Sequence, residues 1–243
     1  MNQAEKFKKT ILEKYKYRTE LHAHTSPVSP CSQILPEEMA KTYHEKNVDA
    51  VVISNHFFLQ LTEGFTKDEA IERYLFDYEE TKKAAEYLGV NVILGAEIRF
   101  TENNNDYLIY GVDRDVLSAC YDYFDKGLEA FRKEVDLTKS VFIQAHPFRN
   151  GMTEVDPALL DGMETFNMHP NHNARIGVAV RYASENGMKI TTAGSDFHHP
   201  DCGHEGVGIL RTKVLPKDSF HLAEILKSGD YVFEIGENAI VLP

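Results

Sequence analysis

Glu20-Leu21-His22-Ala23-His24 closes a short strand-like run with two imidazoles one residue apart. Side chains alternate along a strand, so His22 and His24 share a face and both can reach one ion. Alone, the pair fits two partly buried, hydrogen-bonded histidines equally well. Four more stretches repeat the pattern of an apolar run followed by metal-ligand side chains: Ser54-Asn55-His56, Gly95-Ala96-Glu97, Ala145-His146-Pro147 and Gly194-Ser195-Asp196-Phe197-His198. Each has an ordinary alternative: a satisfied strand-end histidine for His56, a salt bridge to Arg99 for Glu97, a loop position before proline for His146. Their recurrence at five strand ends points instead to one polynuclear metal centre, because only converging strands bring so many donors together.

Outward from these stretches, strand-like and helix-like runs alternate. Residues 18–22, 49–54, 91–98, 106–112, 140–145, 162–166 and 189–193 read as strands. Helices are expected at the N-terminus, from the Pro36-Glu37-Glu38 start, over 66–88, from after residue 112 to about 135, and over 173–186. Repeated strand-then-helix order predicts a parallel sheet, either closed as a barrel or open and doubly wound. Donors at the C-terminal ends of five strands favour the barrel, since an open sheet gathers side chains from only a few neighbours at its switch point. The Gly194-Ser195 pair lets the backbone come close to such a site.

Composition agrees with this architecture and narrows the function. The 243 residues, 42% hydrophobic, suit one large core without a linker, so a single domain over 1–243 is expected. A net charge of −12 argues against a long nucleic acid as partner, whereas a small anionic substrate remains compatible with bound cations. Cys31, Cys120 and Cys202 cannot all pair and show no Cys-x-x-Cys spacing, which suggests a reducing compartment, with the cytoplasm as the expected location. No signal-peptide or membrane-spanning run is read, so no membrane association is expected; the lysine-rich segment up to Tyr17 reads as a solvated helix. Oligomeric state is left open.

The order of the motifs, His22-Ala23-His24-Thr25, the helix start at Pro36, then those containing His56, Glu97, His146 and Asp196 to His198, resembles the PHP (polymerase and histidinol phosphatase) family. The likeness runs from Glu20 to about Gly208 and is similar to the stand-alone phosphoesterase type. It implies a distorted (β/α)7 TIM-like barrel holding two or three divalent ions, Mn, Zn or Fe. It further implies that His22 and His24 hold one ion with Asp196, that Glu97 bridges two, and that His56, His146 and His198 complete the rest. Three positions depart from the family pattern. Cys31 stands where many members carry an acid or histidine, and serves either as a thiolate ligand or as a small buried residue. Asn55 replaces a common Asp, which alters how His56 is oriented. Asp106 takes the place of a further histidine and is favoured as a cap of the Asn103-Asn104-Asn105 turn over a ligand.

Such a centre predicts metal-dependent hydrolysis of a phosphoester, on a small phosphorylated metabolite or short nucleotide, by a metal-activated hydroxide, with Asp196 and His198 handling protons. The chain carries neither a Gly-x-Ser-x-Gly elbow nor a phosphate-cradling glycine loop. Arg149, Arg99 and His199 are the expected substrate contacts, with pairing of the arginines to Glu154 or Glu102 as the alternative. Asn167, His169 and His172 offer further donors, and Glu164 is expected behind the ligands. The competing reading is a non-catalytic barrel, stabilised by metal and acting as a binding module.

Overall fold

The computed structural model describes residues 2–236 and 239–241. Its elements run α1 (Gln3–Lys14), β1 (Tyr17–Ala23), α2 (Pro36–Glu45), β2 (Ala50–Ile53), β3 (His56–Phe58), α3 (Leu59–Thr62), α4 (Lys67–Ala85), β4 (Asn91–Leu94), β5 (Ala96–Arg99), β6 (Asp106–Tyr110), α5 (Arg114–Tyr123), α6 (Leu128–Glu134), β7 (Val141–Gln144), β8 (Gly162–Asn167), α7 (Ile176–Glu185), β9 (Ile190–Gly194), β10 (Gly208–Thr212), α8 (Ser219–Ser228), β11 (Tyr231–Ile235) and β12 (Ala239–Val241). Helix starts follow local chemistry. In α4, Thr66 accepts from the Glu69 amide while the Glu69 carboxylate accepts from the Thr66 amide, and α2 opens on Pro36 with Glu38 reaching back to the Leu35 amide. The N-terminal α1 buries no residue and leaves Phe7 62% exposed, as a solvated helix does.

The architecture is mixed α/β, but the strand pairing shows two six-stranded sheets and not a closed barrel. Their orders are β12-β11-β10-β1-β2-β4 and β3-β5-β6-β7-β8-β9. The chain passes from one sheet to the other four times, after β2, β3, β4 and β9, and two of these passages are short, at Ser54-Asn55 between β2 and β3 and at Gly95 between β4 and β5. A Cβ on Gly95 would lie 2.5 Å from a Val52 methyl, so the strand expected over 91–98 bends where only glycine fits. On the other side the sheets meet, among the described residues, through one isolated parallel bridge, Ala23 to Phe197, with the His24 amide donating to the Phe197 carbonyl at 3.0 Å.

Pairing is also less uniform than expected. β1–β2, β2–β4, β3–β5, β7–β8 and β8–β9 are parallel, whereas β5–β6, β6–β7, β1–β10, β10–β11 and β11–β12 are antiparallel. Residues 100–105 are too few to hold a crossover helix, so β5 and β6 form a hairpin-like pair. The helix expected up to about 135 is two helices parted at Gly127, whose φ of +86° interrupts the helical path. The strands β10 to β12 lie outside the expected alternation.

One apolar cluster takes Leu21, Val52, Leu108, Ile143 and Leu210 from both sheets and adds Leu222 and Leu226 of α8. Two others pack α2 and α4 to α6 against the outer faces. Among the described residues, no helix is long and apolar enough to cross a membrane.

Candidate metal centre

His22 lies one residue before the end of β1 and His24 just follows it, at the seam where the two sheets join. Both rings are fully buried, and each is pinned by Nδ1: His22 to Glu164 Oε1 at 2.8 Å, His24 to Ser29 Oγ at 3.2 Å. Both Nε2 atoms then point at the same carboxylates. His22 Nε2 lies 3.5 Å from Glu97 Oε1 and 3.4 Å from Asp196 Oδ1; His24 Nε2 lies 3.4 Å from Glu97 Oε2 and 3.5 Å from Asp196 Oδ1. Neither Nε2 makes a hydrogen bond, nor does Glu97 Oε2, although all are buried. Buried polar atoms are nearly always satisfied, and one nitrogen anchored while the other is left aimed at carboxylates is the arrangement of metal-bound imidazoles.

Glu97 on β5 is the hub. Its Oε1 also meets His146 Nε2 at 3.0 Å, and its Oε2 meets His56 Nδ1 at 2.9 Å, so four imidazoles converge on one carboxylate. Asp196 is shared in the same manner. Oδ1 faces His22, His24 and His198 (3.3 Å), while Oδ2 faces His172 and Asn167, both at 3.1 Å. Three donor groups are compact enough to chelate an ion: His22, His24 and Asp196; His24, His56 and His198; Glu97, Asp106 and His146. The first is the set implied by the family resemblance.

Backbone strain collects here too. His146 and Asp196 adopt φ of +30° and +51°, a region non-glycine residues seldom occupy. His146 is held there by its amide donating to Glu164 Oε2 at 3.0 Å, and Glu164 also accepts from Asn167 at 2.9 Å. Strain of this kind persists only where surrounding contacts over-determine it, and it clusters at functional sites.

Charge is set by the same contacts. Burial opposes protonation of His22, but Glu164, Asp196 and Glu97 outweigh it and hold its pKa well above the ordinary value. For His56, burial is likewise overcome, chiefly by Glu97, and the pKa rises to about 10. His24 goes the other way, because burial is reinforced by repulsion from His198 and His56. Imidazoles ligate only when neutral, so below the raised pKa values of His22 and His56 a cation must displace protons. Loading the stripped protein at neutral pH is therefore expected to release about two protons, with affinity rising as pH rises. Calorimetric titration in buffers of different ionisation enthalpy measures this; heats that do not vary with the buffer would contradict it.

Asp106 does not cap the asparagine turn, where Asn103 Oδ1 accepts from the Asn105 amide at 2.8 Å. It is buried in the site, held by Arg99 at 2.7 and 2.9 Å and by Arg149 at 3.2 Å, with His146 Nε2 3.7 Å away. Both arginines thus pair with Asp106, not with Glu102 or Glu154, and the Arg99 guanidinium also lies 5.0 Å from the Phe58 ring centre. Cys31 is exposed and outside the three chelating groups. Burial would raise its thiol pKa, but His198 and His56 draw it down to about 6. Asn55 accepts from the Thr25 amide and Ser29 Oγ at 2.7 and 2.9 Å, so it secures the loop that pins His24 and supports the His56 backbone through Ser29.

These groups floor a cavity of about 290 Å³ bordered by Cys31, Arg99, Arg149, His172 and His199. Larger hollows of about 470 and 830 Å³ contain no histidine. Glu20 braces the site in a way the sequence did not disclose: its Oε1 accepts from the His22 and Ser195 amides at 3.0 and 2.9 Å, tying the first motif to the last. Burial lifts its carboxyl to about 7 against those hydrogen bonds. Its signal was an acid on the His22 face of a buried strand. His172, among the further donors expected from the sequence, lies in the loop before α7, which begins only at Ile176.

The PHP domain model matches residues 20–182. No curated protein matches the sequence. Among solved structures, a two-domain protein from Bacteroides vulgatus, described as containing a predicted PHP-like metal-dependent phosphoesterase, is similar with a TM-score of 0.65 and 14% identity. The match covers 91% of this chain and 65% of that one, so this chain spans less than two thirds of the length of that protein. A proposed metal-dependent phosphoesterase of Bifidobacterium adolescentis gives 0.48 at 15% identity, covering 74% of this chain and 87% of that one. An amidohydrolase of Chromobacterium violaceum, with bound sulfate and no metal, gives 0.49 at 12% identity, covering 75% and 88%. Identities this low speak to fold alone.

Proposed function

Because the chain belongs to the PHP domain family, we propose that it is a metal-dependent phosphoesterase acting on a small phosphorylated metabolite or short nucleotide. The observation that carries this reading is Glu97, whose two oxygens meet four imidazoles beneath a cavity that also admits two arginines. In this reading the two sheets are the halves of a distorted (β/α)7 barrel, opened at the seam that holds the site.

The donor sets fit two or three divalent ions of the Mn, Zn or Fe kind: His22, His24 and Asp196 for one, His56 and His198 with His24 for another, His146 with Glu97 and Asp106 for a third. Such ions supply Lewis-acid charge to phosphoryl oxygens and lower the pKa of water. The chain's own residues do the rest. Glu164 and Ser29 fix the tautomer and direction of His22 and His24. Arg99 and Arg149 border the cavity with forked donors suited to phosphoryl oxygens, and His199 stands at the rim. Asp196, with Oδ2 turned to His172, and His198 beside it are placed to take up and return a proton. A structural site is closed; this one opens to a cavity, which favours catalysis over a binding module.

Arg149→Ala tests the division of roles. It should retain bound metal and raise KM for a phosphomonoester by about 10- to 100-fold, the worth of a charge-assisted hydrogen bond. Steady-state kinetics on a panel of monoesters and diesters, paired with elemental analysis, decides this; loss of metal equal to that of His22→Ala would contradict it.

A further inference from the structure

Among the described carboxylates of the site, Asp106 is the one gripped by arginines. It is 1% exposed, and Arg99, its cross-strand partner in the β5–β6 register, donates to both oxygens. Arg149 adds a bond to Oδ2, the same atom that Arg99 holds at 2.9 Å and that lies nearest His146 Nε2. Oδ2 therefore has both of its lone-pair directions engaged by guanidinium donors, yet it is the oxygen that a cation between Asp106 and His146 needs. Two positive side chains also repel an ion at that position. Both guanidinium groups border the cavity and keep 29% and 22% of their side-chain surface exposed, so an anion can reach them.

We propose that Asp106 couples cation binding at the Glu97–Asp106–His146 group to anion binding by Arg99 and Arg149. An ion that takes Oδ2 releases the arginines to a phosphoryl group; an anion that draws the arginines away releases Oδ2 to the ion. The coupling is reciprocal, as any linkage between two binding events must be. Arg99 and Arg149 are then positioning residues with two partners, and the last cation site to fill is the one that phosphate completes. This rests on the metal-dependent reading of the site.

The test is calorimetric titration of Mn²⁺ into metal-stripped protein, with and without inorganic phosphate, for the wild type, Arg149→Met and Arg99→Met. The sign of the change discriminates. If the arginines compete with the ion, each substitution tightens the weakest Mn²⁺ site in the absence of phosphate by about 5- to 150-fold, and phosphate tightens that site in the wild type more than in either variant. If the arginines merely brace Asp106 as a ligand, both substitutions weaken that site or leave it unchanged, and the proposal is overturned while metal binding stands. A wild type that binds no Mn²⁺ overturns the metal reading as well.

Discussion

Glu97→Gln is expected to empty the centre and abolish turnover while the protein stays folded. The substitution keeps shape and one oxygen but removes the charge toward which His22, His24, His56 and His146 all converge. In the unsubstituted chain, burial would raise the Glu97 carboxyl pKa, yet His22 and His56 hold it well below the ordinary range. Replacing one member of a buried charge set costs about 3–5 kcal/mol, which amounts to roughly two to four decades of metal affinity. Outer partners such as Glu164 are worth less, about 10- to 100-fold. Elemental analysis and aryl phosphate hydrolysis on the same sample report the result. A Glu97→Gln protein with full metal and turnover would remove Glu97 from the centre.

Gly194→Ala is expected to damage the site without deleting any donor. A Cβ there would sit 2.5 Å from His22 Cβ and 2.8 Å from Glu164 Oε1. Neither neighbour can yield, because each holds the other: the His22 ring is pinned by Glu164, which also carries the His146 amide. The strain falls on β1 and on the end of β9, next to the Ala23–Phe197 bridge between the sheets. Overpacking of this kind costs about 1–3 kcal/mol, or a Tm lower by about 2–4 °C per kcal/mol. Misplacing Glu164 adds a loss of about 10- to 100-fold in metal affinity. Gly177→Ala, where a Cβ meets nothing within 4 Å, is the control and should change neither. Melting curves and metal titration read both effects; a Gly194→Ala protein indistinguishable from the control would show that the seam is not tightly packed.

The donors were legible because their arrangement is local. Strand alternation alone puts His22 and His24 on one face, and apolar runs before His56, Glu97 and His146 mark strand ends. What escaped depends on register and on chain reversal. Arg99 faces Asp106 because β5 and β6 pair antiparallel, and a reading built on parallel strands had no reason to bring them together. Sequence order therefore points Asp106 to its chain neighbours, the three asparagines, in place of its spatial ones. The bend at Gly95 and the split into two sheets have the same origin, since periodicity shows that 91–98 is extended but not which strand each half joins. Glu20 and Ser29 act by hydrogen-bonding the backbone of His22 and the ring of His24, a role that only the folded seam creates.

The most direct measurement follows bound metal and turnover together. Chelator-stripped protein, reloaded stepwise with Mn²⁺, Zn²⁺ or Fe²⁺, is assayed at each step for metal content by elemental analysis and for hydrolysis of an aryl phosphate. The stripped protein is expected to show no turnover, and turnover to appear as a polynuclear centre fills. Full loading with each of these ions and no hydrolysis would contradict it.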